Sequence, residues 1–148
     1  MAREFLQRGH SVAICSRGKG DVDAAIAVLE AESSADTIVT GTACDVSDYE
    51  QVQNLWDVAV KDMGCVDIWI NNAGLARTCW SIDATPSEEI RLMINTNVLG
   101  TIDCSIKAAR LMREQGHGKL FNMLGGGSDG EYFAGMGIYG TTKRALDY

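Results

Sequence analysis

Val66-Asp67-Ile68-Trp69-Ile70-Asn71-Asn72-Ala73-Gly74 is the stretch on which the fold turns. Its first part is an apolar run too short for a helix, with the branched and aromatic residues that suit a strand covered on both faces. Its last four residues have the composition of a turn. A buried strand that ends in small residues fits the carboxyl edge of a parallel sheet, where ligands sit and backbone must pass close to them. The missing side chain of Gly74 and the small one of Ala73 permit that closeness.

Outward from this strand, helical and strand patterns alternate. Ala2 to Gln7 read as a helix stopped by Gly9, Ser11 to Cys15 as a short strand, and Val22 to Ser33 as a helix with Val22, Ala25, Ile26 and Leu29 at helical spacing. Thr37 to Cys44 read as a β-branched strand. Tyr49 to Met63 read as an amphipathic helix with Val52, Leu55, Trp56 and Ala59 inward, ended by Gly64. Ser87 opens a further helix with Glu88 and Glu89 in its first turn, a long helix covers about Asn97 to Glu114, Lys119 to Met123 form the next strand, and Tyr139 opens the last helix. Strands separated by helices predict βαβ units and a doubly wound parallel sheet of the Rossmann type. A complete fold of this kind starts with a strand and a Gly-rich phosphate-binding turn. Here the first helix comes without them, so the expectation is an α/β fold truncated at both ends, with residues 1–148 the central part of one NAD(P)-binding domain.

The bulk numbers agree with one globular domain. The chain has 148 residues, 46% hydrophobic and 22% charged. Its net charge of −7 and lack of a basic patch argue against nucleic acid as a partner. No apolar run approaches the roughly 18 residues of a membrane span, and Met1 to Arg8 lack the apolar core of a signal peptide. The five cysteines, at 15, 44, 65, 79 and 104, are odd in number and without Cys-x-x-Cys spacing. They read as reduced, buried small hydrophobes in a reducing compartment. His10 and His117 lie near no cysteine pair in sequence, so no metal site is expected.

Further along stands Tyr139-Gly140-Thr141-Thr142-Lys143. Positions i and i+4 share a helix face, so Tyr139 and Lys143 point the same way. A phenol with a pKa of about 10 is a poor acid near neutrality, and a neighbouring ammonium favours its ionised form. With Asn71-Asn72-Ala73-Gly74 upstream, the chain resembles the short-chain dehydrogenase/reductase family. The resemblance implies that Tyr139 protonates a carbonyl oxygen as hydride reaches the carbon, and that Lys143 activates it and holds the nicotinamide ribose. It implies that Asn71, Asn72, Ala73 and Gly74 line the cofactor, and that Asp45 and Val46 lie at the adenine ring. Asp45 also fits a helix N-cap region, since Ser47 and Asp48 follow. Asn97 resembles the family's helical asparagine, which supports a water linking the lysine to solvent; a surface asparagine is the other reading. Ser16-Arg17 closes a strand where an acid would bind the ribose hydroxyls of NAD. Arg17 can instead pair with a 2′-phosphate, which favours NADP(H) over NAD(H), or it can be a solvated loop arginine.

The family places its catalytic serine three residues after the strand asparagine. Here Asn122-Met123-Leu124 leads to Gly125-Gly126-Gly127, and Ser128 is the nearest hydroxyl. This segment with Ser128-Asp129-Gly130, together with Ile14-Cys15-Ser16-Arg17 and Tyr139 to Arg144, is similar to the chlorophyll(ide) b reductases of plants and green algae. That likeness implies reduction of the C7 formyl group of chlorophyll(ide) b to hydroxymethyl with NADPH, in the chloroplast, with Ser128 on the formyl oxygen and the glycines leaving room for a flat macrocycle. It also implies a homo-oligomer. A reductase for another carbonyl or alcohol and a non-catalytic binding protein of the same fold are the alternatives.

Overall fold

The computed structural model describes residues 1–77 and 81–147. Its elements follow in the order α1 (Ala2–Gln7), β1 (Val12–Ser16), α2 (Lys19–Glu32), β2 (Val39–Ala43), α3 (Tyr49–Met63), β3 (Ile68–Asn71), a 3-10 turn (Ile82–Ala84), α4 (Ser87–Ile94), a π segment (Asn95–Leu99), α5 (Gly100–Gln115), β4 (Lys119–Asn122) and α6 (Gly137–Asp147). All strand pairing is parallel. β1 pairs with β2, Val12 opposite Val39 and Ser16 opposite Ala43. β3 pairs with β4, Ile68 opposite Lys119 and Asn71 opposite Asn122. The expected alternation is therefore present, as two pairs of strands among the described residues.

Strand alternation puts helices on both faces. Val12 and Ile14 of β1 pack with Leu6, Ile26 and Leu29 of α1 and α2. Ala13, between them, faces the other way, into a cluster of Trp56 and Ala59 of α3, Val66, and Met112 of α5. Trp69 bridges that cluster to the neighbouring one of Cys44, Val52, Leu55 and Cys104. The four residues expected inward on α3 are all buried.

The α3 helix matches its sequence reading residue for residue because its signals are local. Asp48 caps it, accepting from the Glu50 and Gln51 amides, and Gly64 ends it. Two expectations need correction. The long helix does not begin at Asn97, since α4 runs through the π segment into α5 without a stop. Of the cysteines, Cys44 and Cys104 are buried, but Cys65 is only half-buried and Cys15 is exposed; Cys79 lies outside the described residues. Burial, reinforced by Cys15 and Asp103, pushes the Cys104 thiol up to about 12, which keeps it protonated and inert.

Candidate active site

Helix α6 carries Tyr139, Thr142 and Lys143. Lys143 Nζ lies 5.9 Å from the centroid of the Tyr139 ring, so the i, i+4 pair does share a side. Lys143 is 5% exposed. Its ammonium donates to the Met123 carbonyl at 3.0 Å, just past the end of β4. It also lies 3.4 Å from where a Cβ on Gly74 would stand, just past the end of β3. The two strand ends thus hold the ammonium between them. Its burial pushes the lysine pKa below the ordinary value, because a low-dielectric site disfavours the charged form.

Asn97 sits inside the π segment and is 0% exposed, which removes the surface reading. Its Oδ1 accepts from the Leu75 amide at 2.7 Å. Its Nδ2 donates to the Leu75 carbonyl and to Thr142 Oγ1, each at 2.9 Å. Thr142 Oγ1 in turn donates to the Tyr139 carbonyl at 2.7 Å. One side chain therefore ties the turn after β3 to the helix carrying Tyr139 and Lys143, with both amide protons committed. The helix ladder is widened around Asn97, not stopped.

The glycine run lies directly on α6. A Cβ on Gly125 would come within 2.5 Å of the Tyr139 hydroxyl, and one on Gly127 within 2.8 Å of Gly140 Cα. Gly127 also has φ +93°, which favours glycine. Gly126 faces Met136 and Phe133, at 3.2 and 3.9 Å from its Cβ position. Close approach to α6 is thus the first reason for Gly125 and Gly127, where sequence reasoning expected room for a substrate. Ser128 is buried, and its hydroxyl donates to the Gly125 carbonyl at 2.7 Å. A serine has one proton to give, and here it closes the loop instead of pointing at an incoming carbonyl.

The remaining candidates gather at the carboxyl edge of the strands. Ser16 ends β1, Asp45 and Val46 follow β2, and Asn71 ends β3. Arg17 is exposed and makes no ion pair among the described residues, although its charge reaches Asp45. The Ser47 hydroxyl and amide, with Arg17 behind them, hold the Asp45 carboxyl below the usual range. Asp45 thus forms a turn, and the helix cap is Asp48. Val46 packs on Gly100, whose Cβ position is 3.2 Å from Val46 Cγ2. The Asn71 side chain is committed within the protein: it donates to Ser105 Oγ and Asn122 Oδ1, each at 2.8 Å, and accepts from Trp69 Nε1. Asn72, Ala73 and Gly74 remain exposed, with Gly74 beside Lys143.

A family model described as short chain dehydrogenase matches residues 1–148. The chain belongs to the short-chain dehydrogenase family. It is 39% identical over 148 residues to chlorophyll(ide) b reductase NOL, chloroplastic, of Oryza sativa subsp. japonica, covering 99% of this chain and 43% of that protein. It is 38% identical over 148 residues to the protein of the same description from Arabidopsis thaliana, covering 99% of this chain and 42% of that one. A solved structure described as ElxO with NADP bound superposes with a TM-score of 0.85 at 30% identity, covering 98% of this chain and 57% of that chain. The chain spans less than half the length of these two curated relatives.

Set against the short-chain dehydrogenase pattern, this chain has Gly125 where the family's serine is expected, under the Tyr139 hydroxyl. A cavity of about 280 Å³ lies between the 3-10 turn and the start of α6, lined by Arg77, Ile82, Thr85, Phe133 and Ile138 and not by Tyr139. Arg77 also pairs with Glu89 of α4 at 3.0 Å. Sequence reasoning missed Thr142, Met123 and Gly125 as parts of the site. Thr142 lies inside the quoted Tyr139–Lys143 motif, but its link to Asn97 is a tertiary contact.

Proposed function

We propose that the full-length protein carrying this chain reduces the C7 formyl group of chlorophyll(ide) b to hydroxymethyl, with NADPH as donor. Residues 1–148 are the central part of its cofactor-binding domain. The observation that carries the reading is the Tyr139 hydroxyl over Gly125, with the buried Lys143 ammonium alongside at the ends of β3 and β4. The two chloroplastic relatives support the substrate and a chloroplast location. Leu124, Tyr132 and Phe133, all exposed on the connection from β4 to α6, suit a large apolar substrate.

When bound, the reduced nicotinamide supplies a hydride to the formyl carbon. The exposed backbone of Asn72 to Gly74 positions the cofactor beside Lys143, and Arg17 takes the 2′-phosphate. Tyr139 donates its proton to the formyl oxygen as the carbonyl electrons move onto it. The Lys143 ammonium stabilises the phenolate that remains, and the buried setting strengthens that interaction. Ser128 contributes a hydrogen bond to the oxygen only if it releases Gly125. No helix among the described residues is long and apolar enough to cross a membrane. Copies of the full-length protein associate along Leu99, Ile102 and Ile106, which form an exposed apolar stripe on the long helix.

Incubating the full-length protein with chlorophyllide b and separating the pigments by chromatography tests this. The 7-hydroxymethyl product is expected with NADPH, forming more slowly with NADH. Arg17→Ala is expected to lower kcat/KM for NADPH about tenfold or more, the worth of a hydrogen bond to a charged group. NADPH binding without product would point to a different carbonyl substrate. Failure to bind either cofactor would point to the non-catalytic alternative.

A further inference from the structure

At the opposite end of β3 from Lys143, three side chains with metal-binding chemistry meet. Cys65 and Asp67 precede β3, and His117 lies in the turn between α5 and β4. Cys65 Sγ is 3.7 Å from Asp67 Oδ2. His117 Nδ1 is 3.3 Å from Asp67 Oδ1. All three donor atoms lie within 4.8 Å of one another.

The fold brings them together by several independent restraints. The β3–β4 register sets Ile68 beside Lys119, and the Lys119 amide donates to the Asp67 carbonyl at 2.8 Å. His117 is flanked by Gly116 at φ +92° and Gly118 at φ +144°, which lets the turn fold back on Asp67. The Gln115 amide clamps the same corner. Its Oε1 accepts from the Val66 amide at 3.0 Å, and its Nε2 donates to the Val66 carbonyl at 3.1 Å and to the His117 carbonyl at 3.0 Å. The Gln115 nitrogen also stands 3.3 Å from His117 Nδ1. Both of its protons have shorter partners, which leaves His117 Nδ1 facing the Asp67 carboxylate.

We propose that Cys65, Asp67 and His117 bind a zinc-like divalent cation. Zinc bonds to sulfur, nitrogen and oxygen put S and O about 3.5 Å apart, and N and O about 3.3 Å apart, in a tetrahedron. The 3.7 and 3.3 Å spacings run to different oxygens of the Asp67 carboxylate. A small turn of that exposed side chain therefore brings one oxygen, the sulfur and the nitrogen, already within 4.8 Å of one another, onto those edges. A thiolate and a carboxylate together match the charge of the ion, and a thiolate with an imidazole selects zinc over magnesium or calcium. The Asp67 and His117 side chains are 72% and 53% exposed, so an ion can enter and a water can hold the fourth position. The ion cross-links the start of β3 to the α5–β4 turn. It sits at the amino edge of the strands, so it supports the sheet and takes no part in chemistry at Tyr139. This site stands independently of the proposed reaction.

The test uses the full-length protein, stripped with chelator, titrated with cobalt(II) and then zinc(II). The expected result is a thiolate-to-cobalt charge-transfer band that saturates at one equivalent and is bleached by zinc. Cys65→Ser abolishes the band, His117→Gln abolishes tight binding, and Gln115→Ala, which releases the Val66 and His117 backbone held beside the ligands, weakens affinity about tenfold. Zinc raises the thermal midpoint of the parent and not of Cys65→Ser. Circular dichroism verifies folding, which these partly exposed replacements leave intact. No band, or a band unchanged in both ligand variants, overturns the site.

Discussion

A lysine ammonium prefers water, and Lys143 has surrendered nearly all of it. Burial lowers its pKa in the folded protein, while the unfolded chain keeps a value of about 10.4. Between those two values the unfolded state binds more protons, so stability rises with pH across that window; below it the full penalty is present. Lys143→Met has no charge to bury. Its stability relative to the parent should be most favourable near neutrality and should fall as pH climbs towards about 10.4, read from urea midpoints across that range. A pH-independent difference would mean that the ammonium carries no burial penalty. Gly125→Ala probes the neighbouring atom. Its methyl would stand 2.5 Å from the Tyr139 hydroxyl, so the phenol must swing away. Displacing a reacting group by ~1 Å costs on the order of a hundredfold in kcat, with circular dichroism and NADPH affinity unchanged. An unaltered kcat would show that the hydroxyl does not act from where it stands. Tyr139 and Lys143 were legible in the sequence because helix spacing is a local rule. The orientation of Ser128 was not, because it depends on how the glycine loop seats on α6.

At the scale of elements, the informative feature is the passage from α4 into α5. Sequence reasoning began the long helix near Asn97, whereas the chain runs helical from Ser87 to Gln115 with a π segment between. Nothing at Ile94-Asn95-Thr96 is a stop signal, so periodicity shows a helix but cannot show a widened turn. The side chain that occupies it is equally a tertiary matter. Replacing Asn97 with Ala strands the Leu75 amide and carbonyl and removes the link to Thr142, whose hydroxyl keeps its bond to the Tyr139 carbonyl. Buried polar groups left without partners cost about 1–3 kcal/mol, so a loss of that size in urea unfolding is expected, with weaker NADPH binding as the turn after β3 loosens. A variant as stable as the parent would refute the clamp. Caps and amphipathic faces placed α3 to the residue, since Asp48, Gly64 and the inward Val52, Leu55, Trp56 and Ala59 are all local signals. Strand ends slipped by a residue or two, because the partner sets where pairing stops. The approach of His117 to Cys65 rests on that pairing too, and no sequence spacing announces it.

Over the whole molecule, the parallel register brings the ends of β1 and β2, and of β3 and β4, to a common carboxyl edge. α6 lays Tyr139 and Lys143 against that edge, and the Cys65–Asp67–His117 corner lies at the other. If the two proposals hold, variants at the two edges should act independently: changes at Lys143 alter turnover, changes at His117 alter metal affinity. The proposed function rests on Tyr139 as the proton donor of a carbonyl reductase. Its most direct test compares the full-length protein with Tyr139→Phe in the presence of chlorophyllide b and NADPH, with NADPH binding followed by calorimetry. The variant is expected to bind NADPH as the parent does and to form no 7-hydroxymethyl product. Product from the phenylalanine variant at the parent's rate would contradict it.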